Sequence, residues 1–299
     1  MGWRNLDSGY LFIFFGILAW ASQAFVTKIM VTKIGFFSVY FFASLFSAIT
    51  AFVFYLILNK GRLNFNFLRR PHKIILISVF LTIANFLLFR SFGLLPATNV
   101  IILLYIYPII MSIIHSIMFK KRLTSREIVG LTLGFIGIFI FATGGNPLSI
   151  HVNNLIADTM VIIAAFSWAL YLVIQKRYDF EEFSSNGVAF TLSSLYALPI
   201  ILIFPSFLPH GLVLPGLNIL ILLMYFSIVT FALGNVIYVK GLKKTKIVNT
   251  SLLTYLTPLI AVVLDFLFLG EQIFWYDLVP IGIIFIGYIL LIGNKPTHK

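Results

Sequence analysis

The sequence predicts an all-α membrane protein with ten transmembrane helices, arranged as two inverted repeats of five. Three observations support this prediction. Hydrophobic residues make up 61% of the 299-residue chain and charged residues only 10%, whereas an average soluble domain is about 45–50% apolar and about 25% charged. Ten apolar segments are each long enough to cross a bilayer, which takes about 20 residues. The chain also repeats a pattern of polar and aromatic residues half its own length apart.

The ten predicted spans are separated by short connections that contain glycine or proline. None of these connections is long enough to hold a separate soluble domain. The spans cover residues 10–31, 35–58, 74–94, 97–119, 126–144, 155–175, 186–205, 217–239, 246–269 and 274–293.

The distribution of basic residues predicts that both termini lie in the cytoplasm. With the N-terminus placed inside, all but three of the 21 Lys and Arg residues fall on the inner side of the spans. The three outer ones are Lys28, Lys33 and Arg90. Because cytoplasmic connections of membrane proteins carry an excess of basic residues, we expect a multi-pass protein of the cell (inner) membrane.

Charge and residue chemistry exclude several other classes of protein. The net charge of +12 could indicate a nucleic-acid partner, but the basic residues lie in short gaps where membrane topology accounts for them. The chain has no cysteine, its five histidines are scattered, and no HExxH or P-loop motif occurs. Asp265 is the one acidic residue well inside a predicted span. We therefore expect no enzyme, cofactor or metal, and as partners a lipid bilayer and a small-molecule substrate.

The internal repeat divides the chain into domains 1–145 and 150–299. Residues that match in kind at a shift of 148 or 150 are Trp20 and Trp168, Lys28 and Lys176, Asn85 and Asn235, Arg90 and Lys240, Tyr105 and Tyr255, and Pro108 and Pro258. Because five is an odd number of spans, the second domain enters the membrane from the opposite side. Many secondary transporters consist of such inverted repeats, with a substrate site between them near the midplane.

One stretch carries a specific family resemblance. The segment LLTYLTPLIAVVLDFLFLGE at 252–271 resembles the ninth helix of the drug/metabolite transporter superfamily, in its ten-helix EamA-type branch. IGIIFIGYILL at 281–291 also fits the pattern of that family. The resemblance covers nearly the whole chain. It implies transport or export of substrates, often amino acids or other metabolites, through a central cavity lined mainly by helices 1, 3, 4, 6, 8 and 9.

Eight side chains within the spans are candidates for binding a substrate. They are Trp20, Gln23, Asn85, Tyr105, Trp168, Tyr171, Asn235 and Tyr255. Polar groups at membrane depth are costly, so the two asparagines either face one cavity from both repeats or hydrogen-bond between helices. The two tryptophans lie mid-span, away from the interfaces where tryptophan is enriched, which favours a cavity wall over a packed core.

Proline follows two of the candidate tyrosines at the same spacing. Pro108 and Pro258 each lie three residues after a tyrosine, and each removes a backbone hydrogen bond and can kink its helix. Carbonyl groups freed at such kinks could line a cavity. A kink used only for packing is the alternative.

Six charged or titratable side chains could control access or couple transport to protons. They are the basic pairs Lys28 with Arg90 and Lys176 with Lys240, and the pair His115 with Asp265. The first basic pair lies near the outer ends of helices 1 and 3, and the second near inner ends. Each could attract a carboxylate or phosphate, or act as a snorkelling anchor. The third pair could titrate, but its members lie at opposite membrane faces.

Together these features predict a secondary transporter that moves a small metabolite by alternating access. An amino acid or related carboxylate is the favoured substrate, because Lys28 and Arg90 suit a carboxylate. A carrier for a phosphorylated or nucleotide-like metabolite is the alternative, and an intramembrane enzyme is a less favoured one. The small residues of GLTLG, Gly130 and Gly134, predict close packing of helix 5, against helix 10 or another subunit. The oligomeric state is a monomer or a homodimer.

Overall fold

The computed structural model describes residues 8–60, 70–146, 148, 154–178, 180–203, 212–269 and 275–292. This part of the chain contains ten helices and no strand. The helices are α1 (Ser8–Trp20 and Gln23–Ile34), α2 (Phe36–Leu58), α3 (Pro71–Leu94), α4 (Ala97–Leu104 and Tyr107–Phe119), α5 (Ser125–Ala142), α6 (Leu155–Arg177), α7 (Glu182–Ile203), α8 (Leu217–Tyr225, Phe226–Gly234 and Asn235–Lys244), α9 (Ile247–Thr254 and Leu256–Leu269) and α10 (Trp275–Ile292).

The all-α architecture confirms the predicted number of helices, and each predicted span falls on one of them. Seven of the described helices are long and apolar enough to cross a membrane, and two shorter apolar helices accompany them. The termini, at residues 1–7 and 293–299, lie outside the described residues. Their cytoplasmic placement remains a prediction.

The helices pack in pairs that follow the sequence repeat. The most extensive contacts join α5 to α10, α2 to α7, α3 to α6 and α1 to α8. Replacing every helix by its counterpart in the other repeat leaves this set of pairs unchanged. Glycine contacts repeat as well: a Cβ added at Gly287 would lie 2.9 Å from the carbonyl oxygen of Gly130, and one added at Gly137 would lie 3.3 Å from that of Pro280. Helix α5 therefore packs closely against α10.

Side chains cap the first turn of two helices, α5 and α6. The Thr124 hydroxyl at the start of α5 accepts a hydrogen bond from the Glu127 N–H (3.3 Å), and the Glu127 carboxylate accepts one from the Thr124 N–H (2.8 Å). The Asn154 side chain begins α6 by accepting from the Ala157 N–H (3.1 Å). Such caps pair backbone donors that the first helical turn leaves free. Gly35 reverses the chain between α1 and α2 at a φ of 77°, which glycine tolerates.

Helices α4 and α9 are interrupted at corresponding places. Helical structure stops at Tyr105 in α4 and at Tyr255 in α9, each three residues before a proline. Proline has no N–H and its ring crowds the carbonyl group four residues earlier, so the hydrogen-bond ladder is broken there. The kinks that Pro108 and Pro258 predict are therefore present in both repeats.

A second interruption occurs in α1, directly after Trp20, beside the π-helical segment Phe226–Gly234 of α8. The Thr230 hydroxyl donates to the carbonyl oxygen of Ala19 (3.1 Å), and the Trp20 indole N–H donates to the carbonyl oxygen of Thr230 (3.2 Å). These bonds pair backbone groups that an interrupted helix leaves free. The counterpart helices α6 and α3 are continuous α-helices, so the two repeats differ here.

Candidate functional site

A cavity of about 290 Å³ lies between α1, α4 and α9, with α3 and the end of α5 completing it. A pocket of about 40 Å³ adjoins it and extends to α6. The two spaces share the side chains of Trp20, Gln23, Leu88, Leu104 and Tyr105. The helix interruptions after Trp20 in α1 and at Tyr105 in α4 therefore lie on this cavity. We call the half of the bundle that holds Lys28 and the cavity the Lys28 half, and the opposite half, which holds Lys176, the Lys176 half.

Aromatic rings cluster around Trp20, which lines both the cavity and the small pocket. Trp20 contacts its counterpart Trp168 edge to face, with ring centroids 5.7 Å apart. Trp20 also lies on the ring of Tyr238 at 4.3 Å, and Trp168 lies on that of Tyr171 at 5.1 Å. Two residues related by a twofold relation can touch only near its axis, so the tryptophan pair lies at the centre of the bundle.

Asn85 presents an unpaired amide to the small pocket. Its side chain is only 2% exposed, and its Nδ2 has no hydrogen-bond partner among the described residues. A buried donor without a partner is costly, and it can be satisfied by water or a ligand. Its counterpart Asn235 is 1% exposed and lies outside both lining sets. The cavity thus receives one asparagine, not two.

Two further candidates are buried away from the cavity. The Tyr171 hydroxyl donates to the Asn186 side chain of α7, and Tyr255 packs against Gly134 of α5. Both tyrosines are fully buried. The structure therefore brings Trp20, Gln23, Asn85, Tyr105 and Trp168 together, and it separates Tyr171, Asn235 and Tyr255 from them; the sequence-based prediction of a cavity role for all eight remains untested.

Lys28 is the one charged side chain among the described residues that line the cavity. Its ammonium group donates to the carbonyl oxygens of Phe92 (2.7 Å) and Leu95 (3.0 Å) at the end of α3. The C-terminal end of a helix carries partial negative charge, which favours a cation there. An ammonium group has three donors, so one N–H of Lys28 remains for the cavity.

The counterpart lysine makes the corresponding bonds in the Lys176 half. Lys176 donates to the carbonyl oxygens of Leu242 and Thr245 at the end of α8, which correspond to Phe92 and Leu95 at a shift of 150. A longer contact of 3.5 Å joins it to the carbonyl oxygen of Lys243. All three donors of Lys176 are therefore directed at backbone oxygens.

The other charged candidates lie elsewhere. Arg90 is half-buried over the Phe36 ring, 4.9 Å from its centroid, and Lys240 is exposed over the Phe12 ring at the same distance. His115 stacks on a neighbouring phenylalanine of α4, with ring centroids 4.6 Å apart. None of these three lines either space. The side chain of Asp265 lies outside the described residues, so its role stays a prediction.

The observed lining differs from the one that the family resemblance implies. The described lining residues come from α1, α3, α4, α5, α6 and α9, whereas the resemblance also implies α8. Helix α8 instead supports Trp20 from behind, through Tyr238 and Thr230. Ser22 and Thr257 also line the cavity, although the sequence pattern did not predict this. Both residues lie beside a helix break. The proline that follows Thr257 is the signal that could have identified this residue as a lining residue.

Comparison with known proteins places this architecture among membrane transporters. Residues 7–143 and 155–293 each match the model of the EamA-like transporter family. An uncharacterized transporter of Acidianus ambivalens is 26% identical over 231 residues, covering 76% of this chain and 85% of that protein. An uncharacterized transporter of Clostridium kluyveri is 29% identical over 189 residues, covering 60% and 57%.

A relative in Bacillus subtilis, the uncharacterized transporter YyaM, is 22% identical and covers 70% of this chain and 68% of its own length. One solved crystal structure matches with a TM-score of 0.77 over 95% of this chain and 96% of that one. It is 16% identical in sequence, so this likeness concerns the fold.

Proposed function

Since the chain belongs to the EamA-like transporter family, with two EamA domains, we propose that it carries a small monocarboxylate, such as an amino acid, by alternating access through the cavity between its repeats. Membership of this family makes the protein a multi-pass membrane transporter and not an enzyme. Our proposal adds the class of substrate and the mode of transport.

The single observation behind the substrate class is the geometry of Lys28. Its ammonium group is held at the end of α3 by two carbonyl oxygens and has one N–H left for the cavity. A charge-assisted hydrogen bond from an ammonium group to a carboxylate is about twice as strong as one between neutral groups. A substrate carboxylate at this position is therefore bound by one directed bond.

The rest of the lining suits a small amphipathic molecule. A volume of about 290 Å³ is near the lower end of the roughly 300–1,000 Å³ typical of ligand pockets. Trp20, Phe25, Phe92 and Phe141 supply apolar surface, whereas Gln23 and Asn85 supply amide groups. The apolar surface would contact the body of the substrate, the amide oxygen of Gln23 would accept a hydrogen bond from its ammonium group, and the unpaired Nδ2 of Asn85 would donate to a substrate oxygen.

A phosphorylated substrate fits this lining less well. A phosphate monoester carries about −1.5 to −2 charges at pH 7, and sites that bind such groups use several cations or bidentate arginines. Lys28 is the one cation in the described lining, and Arg90 lies outside it. The charge available therefore favours a monoanion.

The transport mode is supported by the difference between the two halves of the bundle. The Lys28 half contains the cavity, whereas the corresponding side chains of the Lys176 half are packed against each other. The charge distribution of the sequence assigns the Lys28 half to the outer side. We infer that this is an outward-facing conformation, and that exchanging the conformations of the two repeats gives the inward-facing one.

Counterflow in proteoliposomes tests the proposal. Vesicles that contain the purified protein are preloaded with pooled amino acids, pooled nucleotides or pooled sugar phosphates, and each pool is tested with its labelled members outside. The proposal predicts saturable accumulation with the amino-acid pool and none in vesicles without protein. Accumulation with the phosphorylated pools alone contradicts the substrate class. Uptake that does not saturate indicates a pore and contradicts alternating access.

A further inference from the structure

The walls of the cavity have counterparts in the opposite half of the bundle, and those counterparts are buried. At a shift of 150, the lining residues of α3, α4 and α9 correspond to Pro108, which is buried, and to Tyr107, Met111, Ser112, Tyr238, Leu242, Ile247, Ser251, Thr254 and Tyr255. The side chains of these other nine residues are each at most 4% exposed. The Lys176 half thus contains the elements of a second cavity in its closed form.

Two pairs of hydroxyl groups hold this closed half together. The hydroxyl oxygens of Ser112 on α4 and Ser251 on α9 lie 3.0 Å apart, and those of Tyr238 on α8 and Thr254 on α9 lie 2.8 Å apart. All four side chains are fully buried. Each pair joins two different helices, so neither bond can survive separation of those helices.

The corresponding positions in the open half are occupied by apolar residues. The counterparts of Ser112 and Ser251 are Val262 and Ile101, and those of Tyr238 and Thr254 are Leu88 and Leu104. All four of these apolar residues line the cavity. Positions that line the open cavity in the Lys28 half are therefore hydrogen-bonded to each other in the Lys176 half.

We propose that the pairs Ser112–Ser251 and Tyr238–Thr254 form the gate of the Lys176 half, and that their hydroxyl groups become the substrate-facing wall of the inward-facing cavity. The corresponding apolar residues, Ile101 with Val262 and Leu88 with Leu104, close the Lys28 half in that state. This inference rests on the alternating access of the proposed function. It assigns a binding surface that is polar on one side of the transport cycle and apolar on the other.

The chemistry of the two gates differs in a way that suits release of a polar molecule. When hydroxyl pairs separate, each group exchanges its partner for water or substrate, so the loss of hydrogen bonds is small. When apolar side chains separate, they expose surface that water solvates poorly. The hydroxyl gate therefore opens into a wall that can bind a carboxylate or ammonium group.

Disulfide trapping tests the gate, because the chain has no native cysteine. Serine hydroxyl oxygens 3.0 Å apart place the sulfur atoms of a Ser112→Cys/Ser251→Cys variant within bonding reach. We expect oxidation to cross-link this variant and to reduce counterflow at least tenfold, with recovery on reduction. A cross-linked protein that transports at the rate of its reduced form overturns the proposal. Wild-type protein in the same vesicles reports separately whether any carrier activity exists.

The opposite gate provides the reverse experiment. Ile101→Cys/Val262→Cys places its sulfur atoms on two different helices, α4 and α9, that both line the open cavity, so we expect little cross-linking in the absence of substrate. Exchange of substrate populates the inward-facing state and is expected to raise the cross-linking yield several-fold. An equal yield with and without substrate, while wild-type protein exchanges normally, overturns the assignment of these residues to a gate.

A third measurement requires no substrate. A Ser251→Cys variant is labelled with a membrane-impermeant maleimide applied from the Lys176 side, and the labelling rate reports opening of that half. Adding Tyr238→Phe removes one gate hydrogen bond, and we expect a several-fold faster rate. Tyr196→Phe is the matched control, since the Tyr196 hydroxyl pairs with Ser78 at 3.2 Å away from both cavity walls. Equal labelling rates in the Tyr238→Phe and Tyr196→Phe backgrounds would contradict the gate. This result does not depend on whether the proposed function is correct.

Discussion

Trp20 and Trp168 occupy equivalent positions in the two repeats and contact each other edge to face, with ring centroids 5.7 Å apart. Both side chains therefore lie close to the twofold axis that relates the repeats. Trp20 lines the cavity, and its indole also bonds the π-helical segment of α8. Trp20 thus joins the cavity to a segment where the two repeats differ in helix geometry.

Replacing Trp20 should weaken transport without unfolding the protein. Loss of an aromatic contact costs about 0.5–1.5 kcal/mol, and 1.4 kcal/mol is a factor of about ten in affinity. We therefore expect Trp20→Ala to lower counterflow at low substrate concentration by up to about tenfold. Phe52→Ala is the control, since Phe52 is an aromatic side chain with 51% of its surface exposed on the outside of the bundle. Elution as a monodisperse peak confirms folding, and unchanged flux in Trp20→Ala contradicts the assignment.

The two matched asparagines should behave differently. Asn85 lines the pocket and Asn235 does not, although both are buried. A hydrogen bond contributes about 0.5–1.5 kcal/mol, so Asn85→Ala should raise the half-saturating substrate concentration by about two- to tenfold. Asn235→Ala should leave that concentration unchanged when substrate is offered from the Lys28 side. Equal effects of the two substitutions would show that both asparagines act only in packing.

Gly134 should be intolerant of a side chain. A Cβ added there would lie 2.3 Å from the ring of Tyr255, whereas one added at Gly282 would meet nothing within 4 Å. Overpacking of this kind costs about 1–3 kcal/mol. We expect Gly134→Ala to lower the melting temperature in detergent and Gly282→Ala to preserve or raise it. A melting temperature of Gly134→Ala equal to that of wild type would mean that Tyr255 is free to move.

Lys176 should contribute more to stability than the exposed Lys240 of α8. Its ammonium group bonds the last carbonyl oxygens of α8, and hydrogen bonds to charged groups contribute about 1.5–3 kcal/mol. Lys176→Met removes these bonds and retains the apolar stem, so thermal unfolding should occur at a lower temperature. Lys240→Met, at an exposed lysine over a phenylalanine ring, is the control. Equal melting temperatures for the two variants would rule out the capping role.

The sequence predicted the helices and the twofold pairing because those depend on apolar length and on residues that match between repeats. The kinks at Tyr105 and Tyr255 were also predictable, since each precedes a proline at a fixed spacing. The break in α1 was not predictable from the sequence. It depends on a π-helical segment that ends at Gly234, where the first repeat has Ala84, and a single small residue does not reveal such a segment.

A different physical reason explains why the sequence predicted the candidate site only in part. A repeat identifies equivalent positions, but one conformation opens a cavity in one half and closes the other. Asn85 and Tyr105 therefore line the cavity, whereas Asn235 and Tyr255 are buried. The capping bonds of Lys28 could not be foreseen, because they require knowledge of where α3 ends.

The most direct test of the account compares Lys28→Gln with Lys240→Gln in counterflow, across a range of concentrations of the amino acids that wild-type protein accumulates. Both substitutions remove one positive charge, but Lys28 alone lines the cavity. We predict that Lys28→Gln raises the half-saturating concentration at least tenfold, since a charge-assisted bond contributes about 1.5–3 kcal/mol, and that Lys240→Gln resembles wild type. Wild-type affinity in Lys28→Gln would contradict the central claim that this lysine binds the substrate carboxylate.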